Sequence, residues 1–174
     1  MQATSLSIDA VNGLCEADFT AHFGDVAEHS PWVAQAAFRA RPFANRAALV
    51  AAFTAAVRGV APGAQLALLR AHPDLADRAA IAGSDLAAES RREQAGAGLD
   101  RLTPAEFTRF GDLNTRYRER FGFPFIFAVK GATKEDILNA FEQRIANSAA
   151  TERALALANV ERILQFRLED RVAS

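Results

Sequence analysis

Apolar residues in this chain recur three and four positions apart from the region of Trp32 almost to its end. Leu49, Val50, Phe53 and Val57 form one such stripe, and Ile137, Leu138, Phe141 and Ile145 form another. That spacing places each set on one face of an α-helix. The punctuation between stripes agrees. Ser30-Pro31 reads as an N-cap followed by proline at the first helical position, opening a helix through Trp32, Ala36 and Ala37. Asn45 caps a second helix, which Gly59 stops, and Pro62 starts a third carrying Leu66 and Leu69. Thr103-Pro104-Ala105-Glu106 combines a capping box with proline at the first position, so a helix is expected from there to about Phe121. Thr133 to Asp136 opens another, and the last begins near Thr151 and continues towards Val172. No segment alternates apolar and polar residues for long enough to demand a sheet. Pro124 biases Phe123 away from the helical region, so residues 123–129 read as a short extended linker. The pattern predicts an all-α fold, a single-domain compact helical bundle over residues 1–174 with roughly seven to nine helices.

Composition narrows the class. The chain has 174 residues, enough for one sizeable core, and half of them are hydrophobic. A formal net charge of −1 gives no global field to recruit nucleic acid or an anionic membrane. Cys15 is the only cysteine, so no intrachain disulfide or thiolate cluster can form, and a reducing compartment is expected. No signal peptide is visible, and no apolar stretch approaches the ~18 residues a membrane span needs. A cytoplasmic protein is the expectation.

Three polar islands interrupt the apolar pattern: Arg70 to Leu75, Ser90 to Gln94, and the run from Leu113-Asn114 through Tyr117 to Phe125. In the first, Pro73 forces His72 into an extended conformation and is expected to begin a helix, leaving the imidazole at the N-cap and facing outward. A capping or surface role is the commoner one for an isolated histidine. His22 and His29 match no metal-ligand spacing with it, so no metal site is expected. Ser90, Glu93 and Gln94 stand at i, i+3 and i+4, on one helical face shared with Leu86 and Ala97. Ser-x-x-Glu is also a capping box, although a cap has no use for Gln94. Phe121 to Phe127 is too aromatic for a surface loop; it reads as a core plug whose non-helical backbone frees N–H and C=O groups. Arg116, Arg118 and Arg120 spread around their helix with Glu119 among them, as on a solvated face. Arg167 falls inside the apolar arc of Leu157, Val160, Ile163, Leu164 and Leu168. It either snorkels to the rim or points an unpaired guanidinium at a cavity, where a substrate carboxylate would bind it bidentately.

His72-Pro73-Asp74-Leu75, Ser90-x-x-Glu93-Gln94, Phe121-Gly122-Phe123-Pro124-Phe125 and the late Arg167-Leu168, in this order and spacing, resemble the 2-oxo-4-hydroxy-4-carboxy-5-ureidoimidazoline (OHCU) decarboxylase family. The Trp32 region and Arg41-Pro42-Phe43 also fit, so the resemblance runs from Trp32 to nearly the end. It implies that His72 is the catalytic proton donor, with Glu93 and Arg167 as its main partners. It also implies that Pro73, Ser90, Gln94 and the backbone of Phe125, Ile126, Phe127, Ala128 and Val129 cradle the substrate. The reaction implied is decarboxylation of OHCU to (S)-allantoin in urate degradation, by a homodimer with no cofactor. The substrate carries its own electron sink, an imine beside the carbon that loses CO₂. Two departures from the family pattern touch the local turn only. Ala76 follows the His-Pro-Asp-Leu element where many relatives have glycine, and Arg120 stands where lysine is frequent. The rival expectations are a helical module that binds a ureide or purine without turning it over, and a nucleic-acid-binding module.

Overall fold

The computed structural model describes residues 5–77 and 88–173. Among them are nine helices and no strand, so the fold is all-α; Leu6 and Val172 form an isolated bridge. The chain forms two compact units, Met1–Ala71 with Glu161–Ser174, and His72–Val160.

The first unit holds α1 (Ile8–Gly13), α2 (Glu16–Phe23), α3 (Trp32–Phe38), α4 (Arg46–Arg58) and α5 (Pro62–Arg70). Its core is aromatic. The Phe19 ring lies 4.8 Å from Phe23, 5.5 Å from Phe38 and 6.2 Å from Phe53, and Val11, Leu49, Leu164 and Leu168 of the same unit are buried too. Asn45 caps α4 and Gly59 ends it, as the pattern predicts. For α3 the expectation is off by one position. Pro31 is already helical at the N-cap and makes no side-chain cap, while the Ser30 carbonyl accepts from Val33 at 3.1 Å. The helices α1 and α2, capped by Ser7 and Cys15, are too short for periodicity to announce them. Between α3 and α4 the backbone is held by side chains. Asn12 pairs with both polar groups of Phe43 at 2.8 and 2.9 Å, and Arg41 donates to the carbonyls of Asn12 and Leu14.

The second unit holds α6 (Ala88–Gly96), α7 (Pro104–Phe121) and α8 (Lys134–Arg144). The last helix, α9 (Ala149–Arg171), gives residues 149–160 to this unit and 161–171 to the first. It starts two residues before the expected Thr151, because Ser148 accepts from the Thr151 N–H. Thr103 and Thr133 both form complete capping boxes, with Glu106 and Asp136, and Gly122 closes α7 at φ 75°. Tyr117 is the hub of this core, with Phe123, Phe125 and Phe141 against its ring at 5.9, 5.2 and 5.8 Å. Arg116, Arg118 and Arg120 are exposed, as a solvated face requires. Among the described residues no single helix is long and apolar enough to cross a membrane.

Glu106 joins two of these devices, since it closes the α7 capping box and pairs with Lys134 at the start of α8 at 2.6 Å. The Lys134 ammonium first, and the Thr103 N–H after it, lower its carboxyl to about 2. The folded-state value lies below the unfolded one, so the contribution of this cap is present above pH ~4.5 and is lost as pH falls towards 2. An NMR titration of Glu106 is expected to show that low midpoint, and Lys134→Ala is expected to move it up.

Candidate active site

All the candidate site residues except Arg167 belong to the second unit. Residues 72–77 are not helical, and the helix expected to start at Pro73 does not form. His72 is therefore no N-cap and does not face outward; it is buried, with 7% of its surface exposed. The reason is a clamp from two helices. Asp74 pairs with Arg118 at 2.8 Å, the Leu75 carbonyl accepts from Asn114 Nδ2 at 2.8 Å, and the Ala76 N–H donates to Gln94 Oε1 at 3.0 Å. The last two of these bonds satisfy backbone that a continuing helix would have satisfied internally. Ala76 takes φ 60°, the left-handed conformation that glycine would supply, so the turn survives the departure from the family pattern. The clamp has a cost: Asn114 Oδ1 is buried with no hydrogen-bond partner.

Helix α6 carries Ser90 and Gln94 buried and Glu93 half-buried. Residues 88 and 89 are already helical, so Ser90 lies inside the helix and the capping-box alternative does not apply. Leu86, expected on the same face, lies outside the described residues. Gln94 shows why a cap would not need it, since its side-chain carbonyl reaches across to Ala76. Through that bond the His-Pro-Asp-Leu and Ser-x-x-Glu-Gln elements, eighteen residues apart, become one structure.

Residues 123–129 form the non-helical plug. All are buried except Phe127, which is half-buried, and the Phe125 ring stacks on Phe141 at 3.8 Å. Two of the freed backbone groups are taken by side chains. The Ile126 carbonyl accepts from Arg144 Nη1 at 2.8 Å, and the Ala128 N–H donates to Asn159 Oδ1 at 3.0 Å. A groove of about 420 Å³ is lined by Asp74, Ala76, Asp77, Gly111, Asn114 and Arg118 among others. His72, Ser90 and Glu93 do not line it, so it follows the outside of the clamp rather than the candidate chemistry.

Arg167, in the first unit, is neither at the rim nor unpaired. It is 3% exposed, donates to the Val26 carbonyl at 3.1 Å and pairs with Glu28 at 3.0 Å. Glu28 is equally buried, so each charge offsets the desolvation of the other. The apolar arc foretold the burial of Arg167 but not this partner, 139 residues away. Sequence reasoning also missed Arg144, Glu152 and Asn159. The only available signal was the one that exposed Arg167, a polar residue falling on a stripe of apolar ones.

The model of the OHCU decarboxylase family matches residues 12–169. A 2-oxo-4-hydroxy-4-carboxy-5-ureidoimidazoline decarboxylase of Haloferax volcanii is 42% identical over 97% of this chain and 98% of its own. The crystal structure of an (S)-allantoin synthase superposes with a TM-score of 0.74 at 30% identity, covering 96% of this chain and 54% of that one. An OHCU decarboxylase crystallised in the presence of (S)-allantoin shares the fold, with a TM-score of 0.67 at 20% identity over 82% of this chain and 92% of that one.

Two stability measurements check the geometry. At Ala76 the left-handed backbone predicts that glycine is tolerated within about 1 kcal/mol, whereas Ala76→Val costs about 1–3 kcal/mol. Equal stability of the valine variant would contradict the turn. At the buried pair, Glu28→Ala removes the buried carboxylate that pairs with Arg167 and is expected to cost about 3–5 kcal/mol, more than the double variant Glu28→Leu/Arg167→Met.

Proposed function

The chain belongs to the OHCU decarboxylase family, and we propose that it converts OHCU to (S)-allantoin and CO₂ in urate degradation, with His72, Glu93 and Arg167 as catalytic residues. The observation that carries this reading is the hydrogen bond from Ala76 to Gln94, which joins the two motif elements expected to hold the proton donor and its partner. Relatives that match the chain over nearly their whole length are named for this reaction, which leaves no support for a nucleic-acid module or a non-catalytic binder.

The chemistry asks three things of the protein. The bond to the carboxylate carbon breaks, and its electron pair moves into the adjacent imine, whose nitrogen takes up a proton. The enol so formed becomes a carbonyl as its hydroxyl proton leaves, and the former imine carbon is protonated from one face. Arg167 would bind and orient the carboxylate, a charge-assisted contact worth ~1.5–3 kcal/mol, with Glu28 fixing its fork. His72 would deliver the proton, a role worth roughly 10²–10⁴-fold. Burial helps here, since little water reaches the imidazole to compete with it as proton donor. Glu93, one turn from Ser90 on α6, would hold the imidazole or the substrate hydroxyl. Ser90, Gln94, Pro73 and the backbone of residues 125–129 would complete the cradle. We extend the proposal to a homodimer acting in the cytoplasm. A single exposed cysteine suits a reducing compartment, and sedimentation measures the assembly directly.

Two variants test the roles in an assay that generates OHCU enzymatically and follows its disappearance. His72→Asn is expected to keep the folded melting transition while slowing turnover by at least ~10²-fold. A folded variant retaining more than about a tenth of the rate would make His72 structural. Arg167→Lys keeps the charge but loses the planar fork and is expected to impair catalysis severely, whereas Arg162→Lys, at an exposed position, is expected to be nearly silent. Equal activity of the two lysine variants would remove Arg167 from the site.

A further inference from the structure

Glu152 is fully buried on α9, and none of the proposed steps uses it. Three side chains converge on its carboxylate: Arg144 Nε at 2.8 Å, Asn147 Nδ2 at 2.9 Å and the Tyr117 hydroxyl. Burial first, then the hydrogen bond and charge of Glu152, push the Tyr117 phenol up, so it remains a neutral donor. A buried ion pair is a poor source of stability, because apolar residues of similar volume often do as well. What this one provides is a guanidinium held in one place. Arg144 Nη1 donates to the Ile126 carbonyl at 2.8 Å, with its Cζ 4.5 Å from the centroid of the Phe125 ring.

Two residues further on, Asn159 accepts from the Ala128 N–H at 3.0 Å. Its other end donates to the Leu155 carbonyl at 2.9 Å, which sets the orientation of the amide. The two groups taken lie on residues 126 and 128, on either side of Phe127 in the chain. Among the described residues neither backbone group of Phe127, between them, is engaged. Phe127 is also the one residue of 123–129 that is not buried.

We infer that Arg144, Glu152 and Asn159 are positioning residues, which fix the backbone at Ile126 and Ala128 on either side of Phe127 and so leave the Phe127 N–H and C=O as a donor–acceptor pair for an amide group of the ligand. The inference rests on the proposed function for the ligand class, the ring and ureido amides of OHCU and allantoin. It adds the side chains that set the cradle.

Asn159 gives the cleaner test, being half-buried and free of the ion pair. Asn159→Ala removes the acceptor, and Asn159→Asp retains it. The losses expected for Asn159→Ala are about 5–10-fold in KM and in the Kd of (S)-allantoin, the effect of one misplaced hydrogen bond, with kcat changing less. Asn159→Asp should recover most of that loss. The triple variant Tyr117→Phe/Arg144→Met/Glu152→Leu keeps the packing without the charges, and should keep its melting temperature while binding (S)-allantoin at least about tenfold more weakly. If folded Asn159→Ala shows unchanged KM and Kd, or if its loss persists in Asn159→Asp and follows melting temperature, the positioning role is overturned. The two readings fail separately. A wild type inactive on OHCU, whose weak binding of (S)-allantoin still depends on Asn159, would sink the proposed reaction and support the positioning residues.

Discussion

Buried backbone that is neither helix nor strand has to find hydrogen-bond partners elsewhere, and in the described non-helical segments of this all-α protein side chains supply several of them. An N–H or C=O left unpaired away from water costs about 1–3 kcal/mol, so each such segment needs its own set of donors and acceptors. The backbone of residues 72–77 receives Gln94 and Asn114, while Arg118 holds the Asp74 carboxylate. Residues 123–129 receive Arg144 and Asn159. The His-Pro-Asp-Leu element and most of the Phe-Gly-Phe-Pro-Phe element lie in these two segments, whereas Ser90, Glu93, Gln94 and Arg167 lie on helices.

The same constraint explains the buried charges. Arg167 with Glu28, and Arg144 with Glu152, each remove two ionised groups from water. Neither pair is needed to fill space, since aliphatic side chains would pack there without the desolvation penalty. Each guanidinium, however, also donates to a main-chain carbonyl, Val26 in one case and Ile126 in the other. A fork gripped by a carboxylate on one side and a carbonyl on the other has little rotational freedom left. That rigidity is the property a site needs when a planar ligand must be held with one face towards a proton donor.

Much of the fold was legible because local rules and tertiary packing agreed. The capping box at Thr103 and the glycine at 122 bound α7 as read from the sequence, and Asn45 and Gly59 bound α4. Where they disagreed, the sequence misled. Pro73 alone predicts a helix start, but the clamp on Asp74, Leu75 and Ala76 holds a loop, which turns His72 from an outward cap into a buried side chain. Position 76 looked like a perturbed turn, yet alanine adopts the glycine-like conformation there. For Arg167 the periodicity revealed burial, while its partner at Glu28 belongs to a segment whose own pattern is uninformative. One-dimensional spacing exposes which residues are out of place; only the folded chain shows what compensates them.

The central claim is that buried side chains direct a proton to one face of a planar intermediate, so the enantiomeric composition of the product tests it most directly. In free solution either face is open, and allantoin forms as a racemate. Circular dichroism of allantoin formed from enzymatically generated OHCU, at enzyme concentrations high enough to outrun spontaneous decay, is predicted to show a lasting signal of the (S)-enantiomer. A racemic product under those conditions, from folded protein, would contradict the account.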